Sequence, residues 1–219
     1  VSSMVDWSSS MAQSFEYYIV DPNTWKDAKR INDVTSCTIT RDSEAETLGS
    51  ATLDTSETLG ECYFRAYLVT IQNGVTERHP LGTFLVQTPS TSFDGKSTSV
   101  SLDAYTPLIE LKEKLPPLGY AIDKNTNVME IACRIVSENV RAPVVKTSKD
   151  TTLFYDFVSN TDDTWMTFLS DLILNADYTL SLDETGKILF SPNQDIASLQ
   201  PMWTFNDDNS SILYSDITV

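Results

Sequence analysis

The stretch CYFRAYLVTIQNGVTERHPLGTFLVQ, residues 62–87, decides the fold class of this chain. Its first half, Cys62–Gln72, alternates between two sets of side chains, as in a strand with two different faces. Asn73-Gly74 then supplies the two positive-φ residues of a type I′ turn. The second half returns as a partner strand, in which Pro80 and Gly82 predict a bulge or bend. We therefore predict an antiparallel β-hairpin at the centre of the molecule.

Shorter alternating segments surround this hairpin in the first half of the chain. The segment Cys37-Thr38-Ile39-Thr40 is typical of a strand with one buried face and one hydroxyl-lined face. About six short strands at this spacing predict a small antiparallel β-barrel or sandwich. The predicted strands outside the hairpin are Phe15–Val20, Ser36–Thr40, Gly49–Asp54 and Ser97–Leu102, the last preceded by a tight turn at Asp94-Gly95.

The second half of the chain mixes helices and strands, so we predict an α+β, β-rich fold with helix–β-hairpin units. Asn127 is suited to cap a helix, with Glu130 completing a capping-box pattern, and Asp162 and Asp163 suit the N-terminal dipole of a later helix. The predicted helices are Leu108–Lys114, Asn127–Asn139 and Asp162–Asn175. The predicted strands are Thr151–Val158, the hairpin Tyr178–Leu182 with Lys187–Phe190, and the late strands Trp203–Phe205 and Ile212–Val219.

These elements suggest three divisions of the chain. Residues 1–14 are serine-rich and predict a flexible arm, residues 15–105 form the β-rich domain, and residues 106–219 form the α+β domain. The last predicted strand reaches the final residue, so we expect the second domain to continue into a longer protein.

Composition excludes several functional classes. The 219 residues carry 15 Lys+Arg against 31 Asp+Glu, a formal net charge of −16. This acidity argues against a nucleic-acid reader, because phosphate binding requires basic patches. No run approaches the roughly 20 apolar residues of a membrane helix, and no secretory signal segment opens the chain.

Two residue types add detail to this composition. Ser and Thr make up almost a quarter of the chain, which fits hydroxyl-lined strands. Cysteine is sparse: Cys37, Cys62 and Cys133 form no C-x-x-C pair, and we interpret them as free thiols that act as small hydrophobic residues.

Catalytic and cofactor motifs are not found in the sequence. His79 is the only histidine, so a multi-histidine zinc site is excluded, and no G-x-S-x-G elbow accompanies it. No phosphate-binding G-x-x-x-x-G-K loop or G-x-G-x-x-G turn is present. We therefore predict that the protein is not an enzyme and has no catalytic, cofactor-binding or metal-binding residues and no cofactor.

Three weaker possibilities compete with this prediction. A carboxylate pair such as Glu44 with Glu46, or Asp162 with Asp163, would serve a hydrolase only if the two converged in a cleft. The acidic turn Asn206–Asn209 offers oxygen ligands for calcium but lacks the twelve-residue spacing of an EF-hand. The four tryptophans would suit a carbohydrate platform, but Trp165 and Trp203 occupy apolar patterns that favour core packing.

The order of motifs along the chain resembles the N-terminal part of bacteriophage tail hub proteins, the baseplate hub or tail-associated proteins of siphophages. A segment like Leu81–Val86 leads to a serine-rich strand and an "aspartate, x, tyrosine" turn at Asp103–Tyr105 before a helix. A later helix at Trp165–Leu172 is followed by a hairpin with an acidic-glycine turn at Asp183–Gly186. The resemblance covers most of residues 15–219, while the serine-rich start at Val1–Ser10 departs from it.

This resemblance implies a structural adaptor at the phage tail tip. Residues 15–105 would be a β-barrel-like tube domain and residues 106–219 a hub domain, and three copies would form a ring that caps or extends the tail tube. Its implied partners are further copies of itself, the tail tube protein, the distal tail protein, and tip fibre or receptor-binding proteins, with contact to the host cell surface. The implied location is the tail tip of the virion, after synthesis in the bacterial cytoplasm.

The resemblance also suggests a role for the acidity, because an acidic lumen repels DNA phosphates and lets the genome pass as cargo during ejection. The simpler interpretation is that the net charge keeps the protein soluble. The alternative function is a carbohydrate- or receptor-binding β-rich module, which would expose two or three aromatic residues on one face.

Overall fold

The computed structural model describes residues 5–93, 95, 98–194 and 199–200. The part of the chain that the structure describes is β-rich, with 44% strand and 14% helix. In chain order the described elements are β1 (Ala12–Asp21), β2 (Lys26–Ile31), β3 (Val34–Arg41), β4 (Gly49–Thr55), β5 (Tyr63–Gln72), β6 (Val75–Phe93), β7 (Thr98–Tyr105), α1 (Ile109–Glu113), β8 (Ala121–Ile122), α2 (Val128–Asn139), β9 (Phe157–Val158), α3 (Trp165–Leu174), β10 (Tyr178–Leu182) and β11 (Ile188–Pro192).

The first half of the chain forms one antiparallel sheet. Among the described residues it has seven strands in the order β2-β1-β5-β6-β7-β4-β3. The sheet curls, because Tyr17 of β1 and Cys37 of β3 contact each other although four strands lie between β1 and β3 in the sheet.

The sheet is antiparallel, as predicted, but it is not closed into a barrel, which corrects the barrel form of the predicted barrel or sandwich. Closure would need hydrogen bonds between β2 and β3, which are joined only by Asn32 and Asp33. Asp33 adopts a left-handed φ of 54°, and the chain turns away at this corner. β3 then pairs with β4 and not with β2.

The predicted central hairpin is confirmed. β5 and β6 pair around Asn73 and Gly74, whose φ values of 52° and 77° are those of a type I′ turn. The register shifts opposite Pro80 and Gly82, as their presence predicts. β6 is much longer than expected, because it runs on past Gln87 to Phe93.

Two hydrophobic clusters lie on opposite faces of the sheet. The inner face of the curl contains Phe64, Phe84 and Leu102, together with Leu53. The outer face of β5 and the adjacent part of β6 packs against the helices through residues such as Tyr63 and Leu85, which share a core with α1, α2 and α3.

The helices follow the sequence prediction closely in two cases. Helix α2 begins after Asn127, whose side chain accepts a hydrogen bond from the Glu130 amide at 3.0 Å. Helix α1 lies within the predicted segment Leu108–Lys114.

Helix α3 begins later than predicted. Thr164 is its N-cap and forms a reciprocal capping box with Thr167. Asp163 instead accepts a hydrogen bond from the Asn160 amide at 2.7 Å, before the helix. The expected acidic first turn is therefore wrong, since Thr at the cap satisfies the same amides.

The strands predicted for the second half of the chain are confirmed only in part. The predicted strand Thr151–Val158 is reduced to the two residues of β9, because the chain bends at Phe154 and Tyr155 after a single bridge between Thr152 and Asn127. The hairpin β10–β11 is confirmed, with Gly186 at a φ of 76° in its turn. The late strands, the acidic turn Asn206–Asn209 and Trp203 lie outside the described residues.

The N-terminal residues that are described lie on the end of the β5–β6 hairpin. Val5 is buried, and the Asp6 amide donates a hydrogen bond to Gln72 at 2.8 Å. Trp7 contacts His79, with ring centroids 5.1 Å apart. The flexibility of residues 1–14 stays a prediction. In the described part of the chain, no helix is long and apolar enough to cross a membrane.

Candidate functional site

The sheet has two sections whose outward faces differ in chemistry. The arginine section consists of β2, β1, β5 and Val75–Leu85 of β6. The hydroxyl section consists of β3, β4, β7 and Thr88–Phe93 of β6. They share one inner core, but their outer side chains have different partners.

Arg65 dominates the outer face of the arginine section. It is only 5% exposed, and its Nη1 lies 3.0 Å from an Asp27 carboxylate oxygen. Its Nε donates to the Thr83 hydroxyl at 2.8 Å, and its Nη2 donates to the Thr185 carbonyl at 3.1 Å. Because Thr185 belongs to the turn between β10 and β11, Arg65 connects the sheet to the second half of the chain.

The same carbonyl receives two further hydrogen bonds. The Trp25 indole N–H donates to the Thr185 oxygen at 2.9 Å, and the Thr83 hydroxyl donates at 2.8 Å. A Cβ added to Gly186 would lie 2.7 Å from the Thr83 side chain, so this close approach requires glycine.

Glu110 of α1 makes a second connection between the sheet and the helices. Its buried carboxylate accepts hydrogen bonds from the Tyr63 hydroxyl at 2.6 Å and from Nε of Arg141 at 2.7 Å. Burial, followed by the hydrogen bond to Glu110, raises the pKa of Tyr63, so its hydroxyl stays a donor at neutral pH.

The outer face of the hydroxyl section has a different composition. Inward residues of these strands, such as Leu53 and Leu102, are fully buried, and the residues between them point outward. Among the described outward residues there is no Lys or Arg. We call this surface the hydroxyl–carboxylate face, and it consists of Ser36, Thr38, Thr40, Ser50, Thr52, Asp54, Ser90, Ser92, Ser99, Ser101, Asp103 and Tyr105.

Cross-strand rows organise this face. Ser36, Asp54, Ser101 and Ser90 are consecutive partners across β3, β4, β7 and β6. The Ser36 hydroxyl donates to the Asp54 carboxylate at 2.5 Å. Hydrogen bonds from Ser101 and then Ser36 lower the pKa of Asp54, so its carboxylate stays charged at neutral pH. The face is therefore polar and anionic, with hydroxyl groups as its main hydrogen-bonding groups.

The candidate catalytic residues from the sequence do not converge. His79 lies in β6, where its Nε2 is 3.1 Å from the Thr70 hydroxyl and 3.7 Å from a Glu77 carboxylate oxygen. In a catalytic triad the acid and the nucleophile form hydrogen bonds to different ring nitrogens of the histidine. Thr70 and Glu77 both lie nearest to Nε2 of His79, so these residues do not form a triad.

The carboxylate pairs are tied into local structure. Glu46 forms an ion pair with Lys112 at 2.7 Å, and Asp163 accepts from Asn160. Within the described ranges no group of three or more His, Cys, Asp or Glu residues is placed to hold a metal ion. Trp165 is buried in the core as its pattern predicts.

Comparison with known proteins gives a result for the fold. No family model and no curated protein sequence matches the chain. The 43 kDa tail protein of prophage MuSo2 from Shewanella oneidensis superposes with a TM-score of 0.57 at 14% identity, covering 83% of this chain and 56% of that one. This chain has the fold of a phage tail protein.

A second solved structure agrees. The tail protein from Neisseria meningitidis MC58 superposes with a TM-score of 0.56 at 10% identity, covering 81% of this chain and 51% of that protein. The chain thus spans about half the length of the tail proteins it matches. The tail-protein resemblance found in the sequence is supported at the level of the fold.

The hydroxyl–carboxylate face had only a partial signal in the sequence. The alternation of Ser and Thr indicates hydroxyl-lined single strands, but not that these strands form one surface.

Proposed function

We propose that this chain is a structural subunit of a phage tail tip, and that its copies form a trimeric ring that caps or extends the tail tube. The observation that carries the proposal is the fold shared with the prophage MuSo2 tail protein and with the Neisseria meningitidis tail protein. In this proposal residues 15–105 act as the tube domain, residues 106–219 act as the hub domain, and neither has a catalytic role.

The hydroxyl–carboxylate face suits the wall of a DNA channel. Double-stranded DNA carries about one negative charge per 1.7 Å, and proteins hold it through Lys and Arg. A surface of hydroxyls with Asp54 and Asp103 repels phosphates and offers no cation to retain them. In the proposed ring this face lines the lumen, so the genome passes as cargo during ejection and is not bound.

The second half of the chain then connects the ring to its neighbours. We propose that it contacts the distal tail protein and the tip fibre or receptor-binding proteins, while the tube protein meets the sheet. The hydrogen bonds of Arg65 and Glu110 would hold the sheet and the second half of the chain in a fixed orientation in the assembled tail.

A charge-reversal experiment on virions tests the proposal. We expect Asp54→Lys with Asp103→Lys to leave tails assembled but to slow genome ejection, because cations in the lumen would retain phosphates. The matched control is Glu113→Lys with Glu138→Lys, which makes the same charge change on exposed helix positions.

Electron microscopy of virions that carry a labelled copy of the chain tests the location, and we expect the label at the tail tip. A label elsewhere on the virion would contradict the tail-tip role, and ejection at the normal rate by the Asp54/Asp103 variant would contradict the lumen assignment.

One observation favours the alternative of a receptor- or carbohydrate-binding module. Phe154 and Tyr155 are 89% and 84% exposed. The bend that carries them is fixed by hydrogen bonds between Leu153 and both Thr126 and Asn125, and by the Asp156 carboxylate, which accepts from the Lys124 amide. Rigid exposed aromatic residues are typical of binding hot spots.

This alternative has its own test. Phe154→Ser with Tyr155→Ser should abolish adsorption of the phage to its host if these aromatics bind a receptor. Unchanged adsorption, with normally assembled tails, would exclude the pair as a receptor site.

A further inference from the structure

The hydroxyl section is a sheet with two free edges in the described part of the chain. β5 pairs with β6 only as far as Leu85, so the outer side of Pro89–Phe93 has no partner strand there. At the opposite edge, β3 pairs only with β4. We call Pro89–Phe93 the β6 overhang.

Both edges lack charge. The β6 overhang consists of Pro, Ser, Thr, Ser and Phe, and Val34–Thr40 of β3 is also uncharged. Natural edge strands commonly carry charged residues that discourage pairing with another chain. In a chain of net charge −16, these two uncharged edges are places where two copies can meet without direct like-charge contact.

The directions of the strands match as well. β6, β7, β4 and β3 are each antiparallel to the next, so the β6 overhang and β3 run in opposite directions. Copies related by rotation about a ring axis keep the same strand direction along that axis. The β6 overhang of one copy therefore meets β3 of the next in the antiparallel arrangement, which is slightly more stable per residue than the parallel one.

We propose that the β6 overhang of one copy pairs with β3 of a second copy, which extends the hydroxyl section from subunit to subunit. This inference rests on the proposed ring and names its contact. Pro89 has no amide hydrogen, so the donors are those amides of Ser90–Phe93 that point away from β7. The two surfaces differ, so the contact is head-to-tail and closes into a ring when the rotation allows it. The rows of the hydroxyl–carboxylate face then continue across the boundary between copies.

A charge-rescue experiment on the full chain tests the contact. Ser92 and Thr38 are exposed on the two edges. We expect Ser92→Asp or Thr38→Asp alone to weaken association a few-fold, because a single charge at a pairing edge loses water when the strands meet. The two together should weaken it further, because like charges across paired strands repel. Ser92→Asp with Thr38→Lys should restore association. Thr76→Asp, an exposed position near the other end of β6, is the matched control and should leave association unchanged.

Sedimentation velocity over a range of concentrations gives the readout, and circular dichroism verifies that each variant is folded. Association that Ser92→Asp weakens and Thr38→Lys restores supports the pairing. An unmodified chain that associates, with variants that associate equally well, overturns this contact but leaves the proposed ring intact. A chain that is monomeric at every concentration overturns pairing between copies, whereas the tail-tip role is decided separately by the location of the label in virions.

Discussion

The two sections of the sheet share a core yet use their outer faces in opposite ways. In the arginine section, outward side chains form hydrogen bonds and ion pairs within the molecule. Arg65 donates a hydrogen bond to the Thr185 carbonyl. Glu16 forms ion pairs with Arg78 at 2.8 Å and with Arg30 at 3.5 Å. In the hydroxyl section, Asp54 accepts hydrogen bonds from the hydroxyls of Ser36 and Ser101 on the two neighbouring strands. The difference is that one section connects the sheet to the helices, while the other presents a polar face and two edges without a partner strand among the described residues.

Removing Arg65 should have the largest effect on this comparison. We expect Arg65→Ala to lower the free energy of unfolding by about 2–3 kcal/mol, because the change removes a buried side chain together with its hydrogen bonds to Thr83, Thr185 and Asp27. Chemical denaturation measures the loss. The control is Thr52→Ala in the hydroxyl section, which should change stability by no more than about 0.5 kcal/mol. Equal losses for both variants would abolish the distinction between the two sections.

The Tyr63–Glu110 bond should have an intermediate effect. Tyr63→Phe keeps the aromatic packing but removes one donor to the buried Glu110 carboxylate, which retains Arg141. We expect a loss of about 1–2 kcal/mol in unfolding free energy. Tyr105→Phe removes the corresponding hydroxyl from the half-exposed face of the hydroxyl section and should be nearly neutral. A neutral Tyr63→Phe would show that Arg141 alone satisfies Glu110.

Asp54 should give a smaller and pH-dependent effect. Its pKa is lowered by Ser101 and Ser36, so ionised Asp54 stabilises the fold above the ordinary carboxyl pKa, and this contribution disappears as the pH falls through its folded-state pKa. We expect Asp54→Asn to cost less than about 1 kcal/mol at neutral pH, since solvent screens the site. The difference from the unmodified chain should vanish in acid. Ser101→Ala should reduce the same pH dependence, and a difference that persists at low pH would point to packing as its cause.

Tyr17 probes the contact between the two sections, and its effect at neutral pH should be the smallest. Burial, and next the neighbouring Cys37, raise the pKa of Tyr17 to about 12. Because its pKa is raised by folding, neutral Tyr17 contributes to the stability of the fold at any pH below its ordinary pKa of 10.0. That contribution is lost as the pH rises towards 12. The difference in tyrosinate absorbance between the unmodified chain and Tyr17→Phe should therefore appear only near pH 12. Titration of Tyr17 near its ordinary value would mean that the sheet is less curled than described.

Local chemistry explains which parts of this fold could be predicted from sequence. Asn73-Gly74 and Gly186 require particular backbone angles, and Asn127 satisfies a helix amide, so these features are visible in a few neighbouring residues. β2 was missed because Lys26–Ile31 is mostly charged and exposed, without the apolar alternation of a buried strand. Its place depends on pairing with β1, which the sequence of β2 alone does not reveal.

The candidate face could be predicted only in part. Alternation in Cys37–Thr40 correctly indicated a strand with a hydroxyl-lined side. Which strands place those sides together depends on the order β6-β7-β4-β3, a long-range property of the chain. The connection from Arg65 to Thr185 joins residues 120 positions apart and had no local signal.

The corner at Asn32 and Asp33 has a consequence for the choice between a self-contained barrel and an assembling one. A strand edge can be satisfied by the chain's own residues or by another chain, and the two outcomes compete for the same amide and carbonyl groups. If β2 and β3 folded back on each other as an ordinary hairpin, β3 would be consumed internally and the molecule would be a closed monomer. The corner at the left-handed Asp33 separates these neighbours and leaves the outer edge of β3 without a partner strand among the described residues, which is the edge that the proposed pairing with a second copy requires.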